Sequence, residues 1–239
     1  MRRSRWAILV IFGLLMTGVC LAQSSDPRTA QGQLGVCGGP TAWQAVGYLE
    51  FEVKITNADG VVQGPWYYRW GRRDGVLRMS GPWAGAGKLE VVVDIASRTG
   101  GGWVDGRQLL GARLTDASNW ALQRFGEDIL WLTFPLEWGS AGVTVTPGPE
   151  VTEANGTVYL STEVRTPRGT WKVFLDRTTG RVVRSVLSGE GITPLTVSWD
   201  EWKDINGVLF AQKREIAGTG EMVEVNVVRT LGQAPSDAF

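Results

Sequence analysis

Trp171-Lys-Val-Phe-Leu-Asp-Arg-Thr-Thr-Gly180 and Trp199-Asp-Glu-Trp-Lys-Asp-Ile-Asn-Gly-Val-Leu-Phe210 are the stretches that decide the fold. In the first, Trp171, Val173 and Leu175 fall at every second position, and Leu195, Val197 and Trp199 repeat the pattern. Successive strand side chains point to opposite faces, so each run has one apolar face. The other face carries Lys172, Asp176, Thr196, Ser198 and Asp200. Asp176 to Gly180 supplies an Asp to start a turn and a Gly for a positive φ, and Ile205-Asn-Gly-Val208 is the strongest short hairpin signal in the chain. The connections are therefore local and the strands antiparallel.

The same grammar extends outward. Leu49, Phe51, Val53 and Ile55 alternate with Glu50, Glu52 and Lys54, and Trp66, Tyr68 and Trp70 share one face of the next strand. Further strands are expected over about 76–80, 89–95, 101–104, 143–146, 158–165, 169–176, 181–187, 194–202, 209–216 and 222–229. Between about Thr115 and Leu132 the period becomes helical, with Trp120, Leu122, Phe125, Ile129 and Leu130 loosely on one face and Thr115 or Asp116 as N-cap. Gly126 is a point of interruption, and Pro135 marks the latest end. Near the start, a short helix runs through Leu34, and Pro40 suits the first position of a second that carries Trp43 and Val46. A sheet of about 11 or 12 strands with one apolar face must curl on itself or hold helices against that face. The fold class is mainly β: a strongly curved antiparallel sheet or unclosed barrel, with a short N-terminal helix and the central helical insert across its concave side.

Arg2, Arg3 and Arg5 precede an apolar run from Trp6 to about Val19 and small residues ending at Ala22, the pattern of a secretory signal peptide over 1–22. The apolar run is shorter than the roughly 20 residues of a spanning helix. Lipidation of Cys20 fits poorly, because Val19 stands where a small residue is expected. A periplasmic or secreted chain with no membrane span follows. It divides into a polar segment over 23–35, one β domain over 36–231 and a flexible tail over 232–239. Removing 1–22 turns the balance of 24 basic and 24 acidic residues into 21 against 24, with no basic stripe, so nucleic acid is not an expected partner. Cys37 is then the sole cysteine, which excludes an intrachain disulfide and reads as a small buried hydrophobe.

The sequence contains no histidine, which removes Ser/His and Cys/His nucleophile systems and most zinc sites. No metal or cofactor is expected. The remaining candidates for chemistry are carboxylates: Asp94 and Asp105 near strand ends, and the adjacent pairs Glu127-Asp128 and Asp200-Glu201, all read as solvated surface charge. Gly85-Ala-Gly87-Lys88 has the wrong spacing for a phosphate loop and reads as a hairpin turn.

Four motifs recur in one order: Gly38-Gly39 followed by Ala42-Trp43 and Leu49-Glu-Phe51; Leu132-Thr-Phe-Pro135 closing the helical insert; Val173 to Gly180; and Trp199 to Phe210. In these the chain resembles the lipoprotein-carrier superfamily of periplasmic proteins, which includes the outer-membrane lipoprotein carrier and receptor. Cys37 stands where such relatives often have a histidine before the paired glycines. The resemblance implies an unclosed barrel with an apolar cavity and a helical lid that holds acyl chains or another hydrophobic ligand. Among the 12 tryptophans of the chain, that function would place Trp66, Trp70, Trp103, Trp120, Trp131 and Trp199, together with Tyr68, at the cavity or its lid. Two rival functions are an envelope accessory domain that binds protein or polysaccharide through exposed Trp83, Trp138 and Trp202, and a carboxylate-dependent hydrolase.

Overall fold

The computed structural model describes residues 25–83, 85–189 and 192–239; the signal peptide expected over 1–22 and the Cys20 considered for lipidation lie outside the described residues. Two short helices, α1 (Ala30–Val36) and α2 (Pro40–Ala45), precede the strands β1 (Tyr48–Thr56), β2 (Val62–Gly71), β3 (Val76–Pro82), β4 (Lys88–Asp94), β5 (Gly100–Val104) and β6 (Arg107–Gln108). The long helix α3 (Gly111–Thr133) follows. The chain then continues through β7 (Thr144–Pro147), β8 (Val151–Thr152), β9 (Val158–Thr166), β10 (Gly169–Asp176), β11 (Val182–Gly189), β12 (Ile192–Ser198), β13 (Asp200–Ile205), β14 (Val208–Ala217) and β15 (Glu221–Leu231).

All of these strands belong to one antiparallel sheet in the order β6-β5-β4-β3-β2-β1-β15-β14-β12-β11-β10-β9-β7, with β13 on β14 and β8 on β9. Nearly every pairing joins neighbours in sequence, as the hairpin signals require. β12 pairs β14 and β7 pairs β9 by skipping one short strand each, and the one distant pairing is β1 against β15, with Tyr48 opposite Leu231 and Thr56 opposite Met222. β6 and β7 form the two edges, so the sheet is not closed. Bulges at Glu50/Phe51 and Phe174/Leu175 add local twist and curl the sheet.

The sheet has 15 strands where 11 or 12 were expected. β6 and β8 have two residues each, too short to carry an alternation. The expected strand over 194–202 is interrupted at Trp199, between β12 and β13, and β13 pairs with β14 instead. Glu201, with φ of +55°, lies within β13 and is skipped in its pairing with β14. The Asn206-Gly207 turn between β13 and β14 has φ of +53° and +83°, the two positive values that the sequence pair predicts.

The concave face is the apolar one. Phe51 lies opposite Tyr68 and Val227, Tyr68 opposite Met79, and Val173 opposite Ser185. α3 crosses this face, touching β4, β5 and β14. It buries Ala117, Ala121, Phe125, Asp128 and Leu132, spaced by three or four residues. The helix starts earlier than expected, at Gly111, with Leu110 as N-cap and no side-chain cap. Ala112, Arg113 and Leu114 are good helix formers that carry it back from Thr115. Gly126 does not interrupt it, and its carbonyl accepts a hydrogen bond from Arg168 Nη2 at 2.7 Å.

Residues 27–33 are fastened to the turn over 176–180. Thr29 caps α1, and buried Gln33 donates from Nε2 to the carbonyls of Gly180 (2.7 Å) and Pro27 (2.8 Å). The chain end 232–239, expected to fray, carries contacts with the sheet: Ala238 is 1% exposed, and Phe239 meets Tyr48 edge-on with ring centroids 6.0 Å apart.

Cys37 is 1% exposed, and burial pushes its thiol up to about 12. The thiolate is the nucleophile, so Cys37 is expected to ignore thiol reagents at pH 8 in the folded protein and to react fully once urea unfolds it. Rapid labelling without denaturant would show that α1 and α2 open on their own.

Candidate functional site

α3 divides the concave space into two aromatic groups. The first lies on β2. Trp66, Tyr68 and Trp70 point inward together, and Phe125 of α3 meets Tyr68 at 6.0 Å and Trp70 at 5.4 Å between ring centroids. Tyr68 Oη donates to Asp128 Oδ2 at 2.5 Å. Arg124, one turn earlier on the helix, donates from Nε to Oδ2 at 2.9 Å and from Nη2 to Oδ1 at 2.5 Å. Its guanidinium also lies 4.1 Å from the centroid of Trp66. These contacts latch the middle of α3 to the sheet with a carboxylate, a phenol and a guanidinium that share one set of hydrogen bonds. Burial holds the Asp128 carboxyl above its ordinary range, with the bonds from Arg124 and Tyr68 pulling the other way. Burial, then the charge of Asp128 and its hydrogen bond, raise the Tyr68 phenol.

Beside this latch is an open cleft of about 460 Å³, where Trp120 and Gln123 of the helix face Trp66, Gly64 and Pro82.

The second group lies where α3 ends. Phe134, the helix C-cap, sits among three tryptophans: it stacks on Trp199 at 5.5 Å, tilts against Trp171 at 5.0 Å and meets Trp138 edge-on at 5.8 Å. Trp131 packs on Trp199 at 6.3 Å, and Trp199 Nε1 donates to Ser185 Oγ at 2.8 Å. Outside this cluster, Ile129, Leu130, Thr133, Phe134, Trp138 and Val143 line an apolar cleft of about 240 Å³. Beneath it, Arg214 of β14 is fully buried with its guanidinium 5.0 Å from the centroid of Trp199. Arg214 Nη2 donates to the carbonyl of Trp131, one of the last carbonyls of α3, where the helix leaves acceptors free.

Of the seven residues singled out in the sequence, the structure places Trp66, Tyr68 and Trp70 together beneath α3, Trp120 at the rim of the first cleft, and Trp131 and Trp199 in the second cluster. Trp103 is not with them. Its neighbours Gly102 and Val104 face inward, so Trp103 lies on the convex side, over Gly101. The rival surface of exposed tryptophans is also not present as expected. Trp138 is 2% exposed, while Trp83 and Trp202 are partly buried against the core.

Among the carboxylates, Asp128 is not solvated surface charge. It is 0% exposed, because the helical period turns it inward while its neighbour Glu127 faces solvent. Asp94 and Asp105 each serve a turn, accepting from the backbone N–H of Ser97 (2.7 Å) and Lys88 (2.9 Å). Phe134, Trp171 and Arg214, which the second cluster brings together, were not singled out from the sequence as site residues, and Trp138 was placed on an exposed surface instead. Arg214 had a legible signal: it shares the strand parity of Val208, Phe210 and Ile216, so a charge stands in an inward position.

No family model matches the chain, and no curated protein sequence matches it significantly. Among solved structures, a LolA superfamily protein of Nitrosomonas europaea is similar at a TM-score of 0.50 and 11% identity, covering 87% of this chain and 95% of that one. An outer membrane lipoprotein-sorting protein domain of Vibrio parahaemolyticus has a TM-score of 0.41 and 11% identity, covering 87% and 92%. MucB in the Pseudomonas aeruginosa MucA/MucB complex has a TM-score of 0.25 and 19% identity, covering 87% of this chain and 59% of that one. The open sheet, the helix across its hollow and the first of these likenesses agree: this chain shares the fold of that LolA superfamily protein.

Proposed function

We propose that the chain is a non-catalytic carrier of the periplasm that holds an acyl chain or another hydrophobic ligand between the concave face of its sheet and α3. The observation that supports this most is the construction of the lid. One helix covers an unclosed apolar face and is tied to it by a few polar contacts, at Asp128 and at the carbonyl of Trp131. Phe134 and its tryptophans fill the space beneath the second cleft, so a guest enters by moving Phe134 and the end of α3. Each buried methylene then adds roughly 0.8 kcal/mol to affinity. The periplasmic assignment draws support from the charged and apolar N-terminal segment. No helix among the described residues is long and apolar enough to cross a membrane. The absence of histidine and the engagement of Asp94 and Asp105 in turns support a role in binding rather than hydrolysis.

Titration of the purified protein with a fluorescent long-chain probe tests this. The expected result is saturable binding with quenching of tryptophan emission. Phe134→Ala, which widens the path beside Trp171 and Trp199, should speed probe uptake severalfold. A protein that neither binds probes of 12 to 18 carbons (roughly 10–14 kcal/mol of methylene transfer at full burial) nor changes its emission would contradict the proposal.

A further inference from the structure

Buried polar groups without partners are rare in folded proteins, and each one needs an explanation. Among the described residues, the buried side-chain nitrogens and oxygens without a partner are Gln33 Oε1, Trp138 Nε1, Trp171 Nε1, Trp202 Nε1, Gln212 Nε2, and Nε and Nη1 of Arg214. All but the first are donors. Arg214 has only one of its five N–H bonds matched, by the Trp131 carbonyl. Burial alone lowers its pKa, to about 9, with no charged neighbour contributing. At neutral pH it is a cation in an apolar interior with no counter-ion among the described residues. Gln212 lies two positions earlier on the same face of β14, roughly 7 Å along the strand. Trp171 and Trp138 flank Phe134, which stacks on the ring beside Arg214.

Resting on the carrier reading, we infer that Arg214, with Gln212, is the headgroup site of that cavity, and that the ligand it selects is a carboxylate-headed acyl chain, a free fatty acid. A carboxylate supplies both the missing charge and acceptors for Nε and Nη1, in the charge-assisted bonds that are the stronger kind. A neutral ester or amide head leaves the charge unbalanced. The chain of such a ligand would run from Arg214 past Trp199 and Phe134 into the apolar cleft. Capping the end of α3 accounts for one N–H and leaves the others without a role.

The experiment compares binding of palmitic acid and methyl palmitate, by displacement of a neutral fluorescent probe, to the wild-type protein and to Arg214→Met. The expected result is that wild type binds the acid at least tenfold more tightly than the ester. In Arg214→Met the ratio of acid to ester binding falls to about one, and the fold is as stable as wild type or more so, because a desolvated charge has been removed. Equal binding of acid and ester to wild type overturns the headgroup site and leaves the carrier reading intact. Failure of both lipids and the probe to bind overturns the carrier reading itself. The ratio is read on wild type as well, so a variant that misfolds does not remove the test. An Arg214→Met protein that is strongly destabilised but keeps the preference would assign Arg214 to the helix cap alone and overturn the inference.

Discussion

Replacing Asp128 with alanine is expected to lower the free energy of unfolding by about 3 kcal/mol, measured by urea titration. The loss comes from what is left behind. Tyr68 is 1% exposed and the Arg124 side chain is 16% exposed, and both would lose their shared acceptor beneath the helix. A buried ion pair contributes little over an apolar pair of similar size, but removing one partner strands the other. Tyr68→Phe tests the same network more gently. The double variant should lose less than the sum of the two single ones, with a coupling of about 1 kcal/mol. If Asp128→Ala costs under about 1 kcal/mol, water reaches the pair and the latch is not closed. The substitution also has a functional readout. Freed at its middle, α3 should open more often and admit a long-chain probe faster.

Gly38→Ala is expected to destabilise by about 4 kcal/mol or more, and Gly39→Ala by only about 2 kcal/mol. The two glycines are adjacent and both have positive φ, +106° and +94°. What separates them is space. A Cβ on Gly38 would lie 1.8 Å from the carbonyl oxygen of Gly207, whereas one on Gly39 meets nothing within 4 Å. Backbone conformation alone therefore sets the cost at Gly39. At Gly38 the α1–α2 connection must also move off the Asn206-Gly207 turn, breaking the bond from Leu209 N–H to the Cys37 carbonyl at 3.1 Å. Thermal unfolding of the two variants side by side measures the difference. Equal losses would mean that the turn yields and that close approach is not what requires Gly38.

This pair of glycines shows what was legible in the sequence. Gly38-Gly39 and Asn206-Gly207 are each visible as motifs, but only the fold brings them into contact, from positions far apart in the chain. The strands were legible because a period of two survives wherever one face is buried, as in Trp171, Val173 and Leu175 or Phe51 and Val53. Their breaks were less so: the interruption at Trp199, the left-handed Glu201 within β13 and the two-residue β6 and β8 leave no periodic trace. For the site, alternation placed Trp66, Tyr68 and Trp70 on one face but could not say which face was concave. The same ambiguity put Trp103 among the lining residues, though its strand turns it outward.

Charge was misread for a related reason. Asp128 looked like one of a solvated pair, because adjacent acidic residues usually are, and only the helical phase of α3 turns it inward while Glu127 stays out. Arg214 had the opposite problem. Its inward parity was present in the sequence, but long basic side chains usually reach solvent from the rim of a sheet. Here α3 closes over it.

The most direct test of a ligand-holding interior is native mass spectrometry of the protein purified without detergent from the envelope of its own cells. The expected spectrum contains, beside the bare mature chain, a population heavier by the mass of one acyl-bearing lipid, and collisional activation should release that lipid. A single species at the mass of the bare chain, from protein that afterwards also fails to take up long-chain lipid added in vitro, would contradict it.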